Sequence, residues 1–259
     1  MEDDIHTVDR GAVKPYSGKY QQVLSMERDG ARPYYTQDVL ADFLDRDSVL
    51  IDVGMGQGER TIPLSLRCRE FFGVEPSEEL LQVAERYKRT YGAMNARFVK
   101  GVAEKLPFPD GYADVVSSFL APHDAREAYR VLRSGGQYLV EKIGEKDKQN
   151  LKAFFGSDER GFLRGYLSEM PEGQRMRNVE TELRSAGFRD LRGMSCFFDC
   201  YYPTIDAFVA LLEGVPHTVR DFSREKDARA LQLIEEAGMT ERGIWCRKHE
   251  FVLIGKKPS

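Results

Sequence analysis

Val49-Leu50-Ile51-Asp52-Val53-Gly54-Met55-Gly56-Gln57-Gly58-Glu59-Arg60 is an apolar run that ends in three spaced glycines and opens into a polar stretch. Continuous apolar strands bounded by turn residues belong to sheets buried on both faces. Glycines after such a strand let the backbone turn sharply and approach a ligand closely. The spacing narrows the ligand. A dinucleotide fingerprint needs glycine at 59, where this chain has Glu59, and a P-loop needs Gly-Lys-Ser/Thr, which is absent. A nucleoside site without strong pyrophosphate recognition remains.

Outward from this segment the chain alternates. The pattern predicts a helix over 58–67, a strand over 70–74 and a helix over 77–91, with Ser77 as cap and Glu79 third in the run. Strands follow at 96–100 and 113–119, then a helix at 124–132 and a strand at 137–143; a short amphipathic helix precedes at 36–45. Strand and helix in succession imply an α/β fold with a doubly wound, mostly parallel, seven-stranded Rossmann-like sheet. Further on, the pattern gives a polar stretch at 145–172, a helix at 175–186 stopped by Gly187, and a strand at 189–201. Helices at 204–213 and 224–237 come next, and an apolar strand at 250–255 closes the chain. The organisation expected is an N-terminal cover over 1–35 and a single domain over 36–259, with helical insertions at about 145–172 and 203–240. Segments that follow parallel strands emerge at the carboxyl edge, where ligands bind in open α/β sheets, so the insertions are expected over the site.

Composition limits the class of function. The 259 residues are 41% hydrophobic and 31% charged, with a net charge of −4. Neither half forms a basic block of the kind that tracks a phosphate backbone, which speaks against a nucleic-acid substrate. No apolar run is long enough to span a membrane, and the acidic start Met1-Glu2-Asp3-Asp4 is unlike a leader peptide; a soluble, cytoplasmic protein is expected. Cys68, Cys196, Cys200 and Cys246 are scattered, and the four histidines lack metal-ligand spacing, so no metal is expected.

Four more segments line up behind the glycine turn. They are Glu75-Pro76 at a strand end, Val102-Ala103-Glu104-Lys105-Leu106-Pro107-Phe108-Pro109-Asp110, Asp114-Val115-Val116-Ser117-Ser118-Phe119, and Tyr129-Arg130-Val131-Leu132-Arg133-Ser134-Gly135-Gly136. Over about residues 45–145 this ordered set resembles the class I S-adenosylmethionine-dependent methyltransferases, especially the small-molecule branch that includes ubiquinone/menaquinone-biosynthesis-type enzymes. The resemblance implies a methyl transfer from S-adenosylmethionine, leaving S-adenosylhomocysteine. It implies that Asp52, Gly54, Gly56 and Gly58 lie under the methionine part of the cofactor. Glu75 would then hold the ribose, Pro76 pack by the adenine, Ala103 and Glu104 meet the adenine edge, and Phe119 border the sulfonium. Met55 and Gln57 depart from the family's small residues, and Met55 is expected to alter the methionine side.

For the acceptor, three covers over one edge favour an enclosed small molecule. His123, after the fourth strand, is the candidate base, since an imidazole exchanges protons near neutral pH; its alternative is a helix-start histidine beside Asp124. Tyr20 and Tyr202 are the candidate pocket tyrosines, with amphipathic packing as the alternative. The expected activity is O- or N-methylation of a small molecule in a biosynthetic pathway. The alternatives are a non-methylating elimination, cyclisation or hydrolysis in the covered pocket, or a non-catalytic binding subunit. The sequence leaves a homodimer open.

Overall fold

The structure, a computed structural model, describes residues 28–29, 32–157, 159, 161, 163–165, 170–215 and 218–259. The predicted N-terminal cover, including Tyr20, therefore lies largely outside the described residues. Strands β1 (Arg28–Asp29), β2 (Val49–Val53), β3 (Glu70–Glu75), β4 (Ala96–Lys100), β5 (Ala113–Phe119), β6 (Leu132–Ile143), β7 (Arg189–Tyr202), β8 (Met239–Thr240) and β9 (Gly243–Lys256) form one sheet. Their order is β1-β7-β9-β6-β5-β2-β3-β4, with β8 paired to β9. The seven strands expected are all present, and β1 and β8 are two-residue additions. From β6 through β4 the pairs are parallel, whereas β9 runs antiparallel to both β6 and β7.

Helices α1 (Thr36–Ala41), α2 (Glu78–Tyr91), α3 (Ala125–Val131), α4 (Gln149–Lys152), α5 (Gln174–Ala186), α6 (Ile205–Gly214) and α7 (Ala228–Gly238) complete the chain. No helix among the described residues is long and apolar enough to cross a membrane. Ser77 caps α2 by accepting the Leu80 N–H at 3.4 Å, and Gly92 ends the helix in the left-handed conformation that glycine favours. The third helical position is Leu80, so the cap is one-sided; Glu78 and Glu79 act on the helix dipole instead. The helix expected over 58–67 is a turn followed by a 3-10 helix, Ile62–Arg67. Pro63 has no N–H to return to Glu59, which removes an α-helical bond from the middle of that stretch.

Side chains alternate across the strands and build a core on each face of the sheet. Val53, Val116, Tyr138, Val140 and Phe251 lie on one face with Leu183 and Phe188. Leu50, Phe71, Val115, Leu139 and Val252 lie on the other with Leu40 and Ile62. A third core gathers Leu151 and Phe155 with Phe208, Leu212, Leu231 and Ile234 around Tyr202 and Ile244. This last core exists because β7 and β9 pair from Arg189↔Lys256 to Tyr202↔Ile244, while β6 ends its pairing at Ile143↔Glu250. The two strands project beyond the carboxyl edge as a ribbon, and the predicted insertions pack on it.

Candidate active site

The site begins at the end of β2. Gly54, Gly56 and Gly58 have φ values of +69°, +61° and +74°, a region that costs an L side chain about 1–2 kcal/mol. A Cβ on Gly54 would lie 2.4 Å from the Ala121 Cβ, so the loop after β5 rests directly on the glycine loop. A Cβ on Gly56 would meet nothing within 4 Å, leaving open space above its backbone.

Asp52 is 1% exposed, and its two carboxylate oxygens accept the hydroxyls of Thr61 (2.6 Å) and Ser117 (2.7 Å). Burial pushes its carboxyl up to about 6, against those two donors. Glu75, 7% exposed at the end of β3, accepts the backbone N–H of Gly56 at 3.1 Å and of Ser77 at 3.0 Å. Burial raises this carboxyl too, while the two N–H groups favour its anion. Its fixed orientation ties the strand end to the glycine loop.

A cleft of about 270 Å³, open to solvent, lies over this loop and is lined by Asp52, Gly54, Met55, Glu59, Arg60, Thr61 and Phe119. Sequence reasoning passed over Arg60 and Glu59. Arg60 reaches across β5 to β6, where it donates to Glu141 at 3.1 Å, and its guanidinium lies 5.8 Å from the Phe119 ring centre. Glu141 is buried and also accepts the Thr36 hydroxyl, so α1 is fastened over the same edge. No spacing rule links residues 60 and 141; the pair exists because β2, β5 and β6 are adjacent. The Met55 side chain joins the core and stands on Gly73, where an added Cβ would fall 1.9 Å from its Sδ.

The remaining expected residues divide. Ala103 is buried and Glu104 exposed in the turn closed by the Val102↔Lys105 bridge, and neither is among the lining residues. Pro76 follows Glu75 at the exposed strand end. The His123 Nε2 lies 3.1 Å from a Glu182 carboxylate oxygen on α5, and the residue does not line the cleft. Tyr202 is 0% exposed, its ring 5.3 Å from that of Phe208 in the core of the ribbon lobe. It is a core residue, contrary to the expectation of a pocket tyrosine: its strand position turns it into the packing between ribbon and helices. Residues of the expected insertions likewise do not line the cleft; they share a core of their own.

Residues 51–140 match the family model described as a methyltransferase domain. Over those residues the chain carries a methyltransferase domain, and its fold is that of the class I methyltransferases. It is 34% identical over 98 residues to the uncharacterized methyltransferase YcgJ of Bacillus subtilis, covering 35% of this chain and 39% of YcgJ. The YcgJ crystal structure superimposes with a TM-score of 0.61 at 17% identity, covering 86% of this chain and 98% of the other. A malonyl-[acyl-carrier protein] O-methyltransferase of a Marinomonas species is 27% identical over 201 residues, covering 70% of this chain and 73% of that protein. The ubiquinone/menaquinone biosynthesis C-methyltransferase UbiE of Azotobacter vinelandii is 34% identical over 106 residues, covering 37% and 42%. By sequence, then, the chain spans about two fifths of YcgJ and of UbiE.

Proposed function

We propose that the protein methylates an oxygen or nitrogen atom of a small molecule in a biosynthetic pathway, with S-adenosylmethionine as donor. The observation that carries this reading is the join between the three left-handed glycines and the Glu75 carboxylate, an arrangement that suits a nucleoside. The open space over Gly56 fits a ligand laid along the backbone, since any side chain there would fill it. Bound in the cleft, S-adenosylmethionine supplies an electrophilic methyl group on a positively charged sulfur.

In this reading Glu75 holds the ribose, Pro76, Ala103 and Glu104 flank the adenine, and the loop from Asp52 to Gly58 underlies the amino-acid tail. Glu59 and Arg60, opposite charges lining one cleft, suit the ammonium and carboxylate of that tail. Phe119 walls the reacting end and helps to exclude water, since an in-line displacement depends on alignment and short approach.

Titration calorimetry with S-adenosylmethionine and S-adenosylhomocysteine tests the donor site. Saturable binding, weakened at least tenfold by Glu75→Ala, is expected; no binding by the wild type would sink the reading. Labelled methyl groups then identify the acceptor in a metabolite extract.

A further inference from the structure

Phe119 borders the cleft at the start of a loop, 120–124, that no regular element supports. Leu120 has φ +55°, a left-handed conformation that is an outlier for a bulky residue and persists only where its surroundings impose it. Four contacts do so. The Leu120 N–H donates to the Glu141 carbonyl at 3.0 Å, the Ser118 hydroxyl donates to the Pro122 carbonyl at 3.1 Å, and the His123 Nε2 lies 3.1 Å from a Glu182 carboxylate oxygen. The fourth is the Lys142 ammonium, which donates to the Ala121 carbonyl.

Lys142 stands apart from the other three. It is 8% exposed, and it makes no ion pair among the described residues. It follows Glu141 on β6 and so points to the opposite face of the sheet, on the side of Val140 and Phe251, its apolar neighbours. The charged groups that act on it are Arg175 and Glu182, both on α5. His123, beside Glu182, is a titratable group of the loop itself, and Asp124 is committed to capping α3. The carbonyl that Lys142 holds belongs to Ala121, the residue whose Cβ abuts Gly54.

We propose that Lys142 is a positioning residue: its ammonium clamps the Ala121 carbonyl and so seats the loop after β5 on the glycine loop, and loss of its proton releases the clamp. Burial, reinforced by Arg175, brings the lysine down to about 7. A charge-assisted hydrogen bond is roughly twice as strong as a neutral one, so the clamp is strong at pH 6 and weak at pH 9.

Hydrogen exchange of the backbone amides of 119–124, followed from pH 6 to 9 and corrected for intrinsic exchange, tests this without any ligand. Wild type, Lys142→Met and Lys142→Arg are compared, and S-adenosylhomocysteine is titrated at the same pH values. Wild-type protection is expected to fall about tenfold across pH 7. In Lys142→Met it should be low at every pH, and in Lys142→Arg high at every pH, with His123→Gln keeping the wild-type profile. A pH profile shared by wild type and Lys142→Met, or lost in His123→Gln, overturns the proposal. If Lys142→Met does not fold, the comparison of wild type with Lys142→Arg decides. Absence of S-adenosylhomocysteine binding in every form would count against the proposed function alone, because the exchange profile reads the clamp directly.

Discussion

Gly73 makes room for Met55. A side chain on the strand glycine would collide with the methionine sulfur, so the departure from small residues in the glycine loop is absorbed by the core. Gly54→Ala meets both a left-handed φ and the Ala121 Cβ, and should cost about 2–4 kcal/mol in urea unfolding and abolish S-adenosylhomocysteine binding. Asp52 sets a different trade. Its folded carboxyl lies above the unfolded value of 3.8, so the folded chain binds more protons between 3.8 and about 6, and stability from this group falls as pH rises through that window. Asp52→Asn should therefore be more stable than wild type at pH 8, by up to about 3 kcal/mol, with the gain vanishing near pH 4. Urea titrations at the two pH values check this; an equal difference at both would contradict it. The glycines, Asp52 and Glu75 were legible because backbone demands and a strand-end carboxylate leave marks on spacing. Arg60 left none, since its partner lies on a strand that is distant in sequence.

Arg130 joins two of the ordered segments into one element. It sits on α3 and donates to the carbonyls of Leu106 (3.0 Å) and Phe108 (2.8 Å) and to the carboxylates of Glu127 and Asp110 (2.8 Å each). Glu127 in turn accepts the Leu106 N–H at 2.8 Å, so the loop after β4 is laced to the helix before β6. Arg130→Ala should cost about 1–3 kcal/mol and, if the proposed function holds, weaken S-adenosylhomocysteine binding several-fold, because the loop proposed to flank the adenine is no longer held. Calorimetry beside a thermal melt reads both effects. Each segment was visible in the sequence, but not the lacing. Element boundaries were readable where apolar runs are continuous, as in β2 and β5. They were missed in β9, expected over 250–255 and observed from Gly243, because Arg247, Lys248 and His249 interrupt the apolar run on the ribbon.

At the scale of the molecule, the lobe on the ribbon is joined to the polar segment after β6 by the shared core and by a buried ion pair. Arg164 bonds Asp227 at 2.5 and 3.0 Å, and also donates to the carbonyls of Arg220 and Asp221. Removing one partner strands a buried charge, which typically costs 3–5 kcal/mol. Arg164→Ala should open the lobe to limited proteolysis near residues 220–228 while residues 49–143 stay protected. Simultaneous cleavage in both regions would show that lobe and sheet unfold as one. The pairing of 145–172 with 203–240 could not be foreseen from a single sequence, since neither stretch carries a long periodic pattern that names its partner.

The ribbon register has an evolutionary consequence. Tyr202 and Ile244 are direct partners across β7 and β9, so everything between them leaves and rejoins the sheet at one point. A segment whose ends already meet can be lengthened, shortened or exchanged like a cassette without moving the glycine loop or Glu75. Descendants of this chain can thus exchange the lobe by recombination at that single rung, inheriting the cleft over the glycine loop intact.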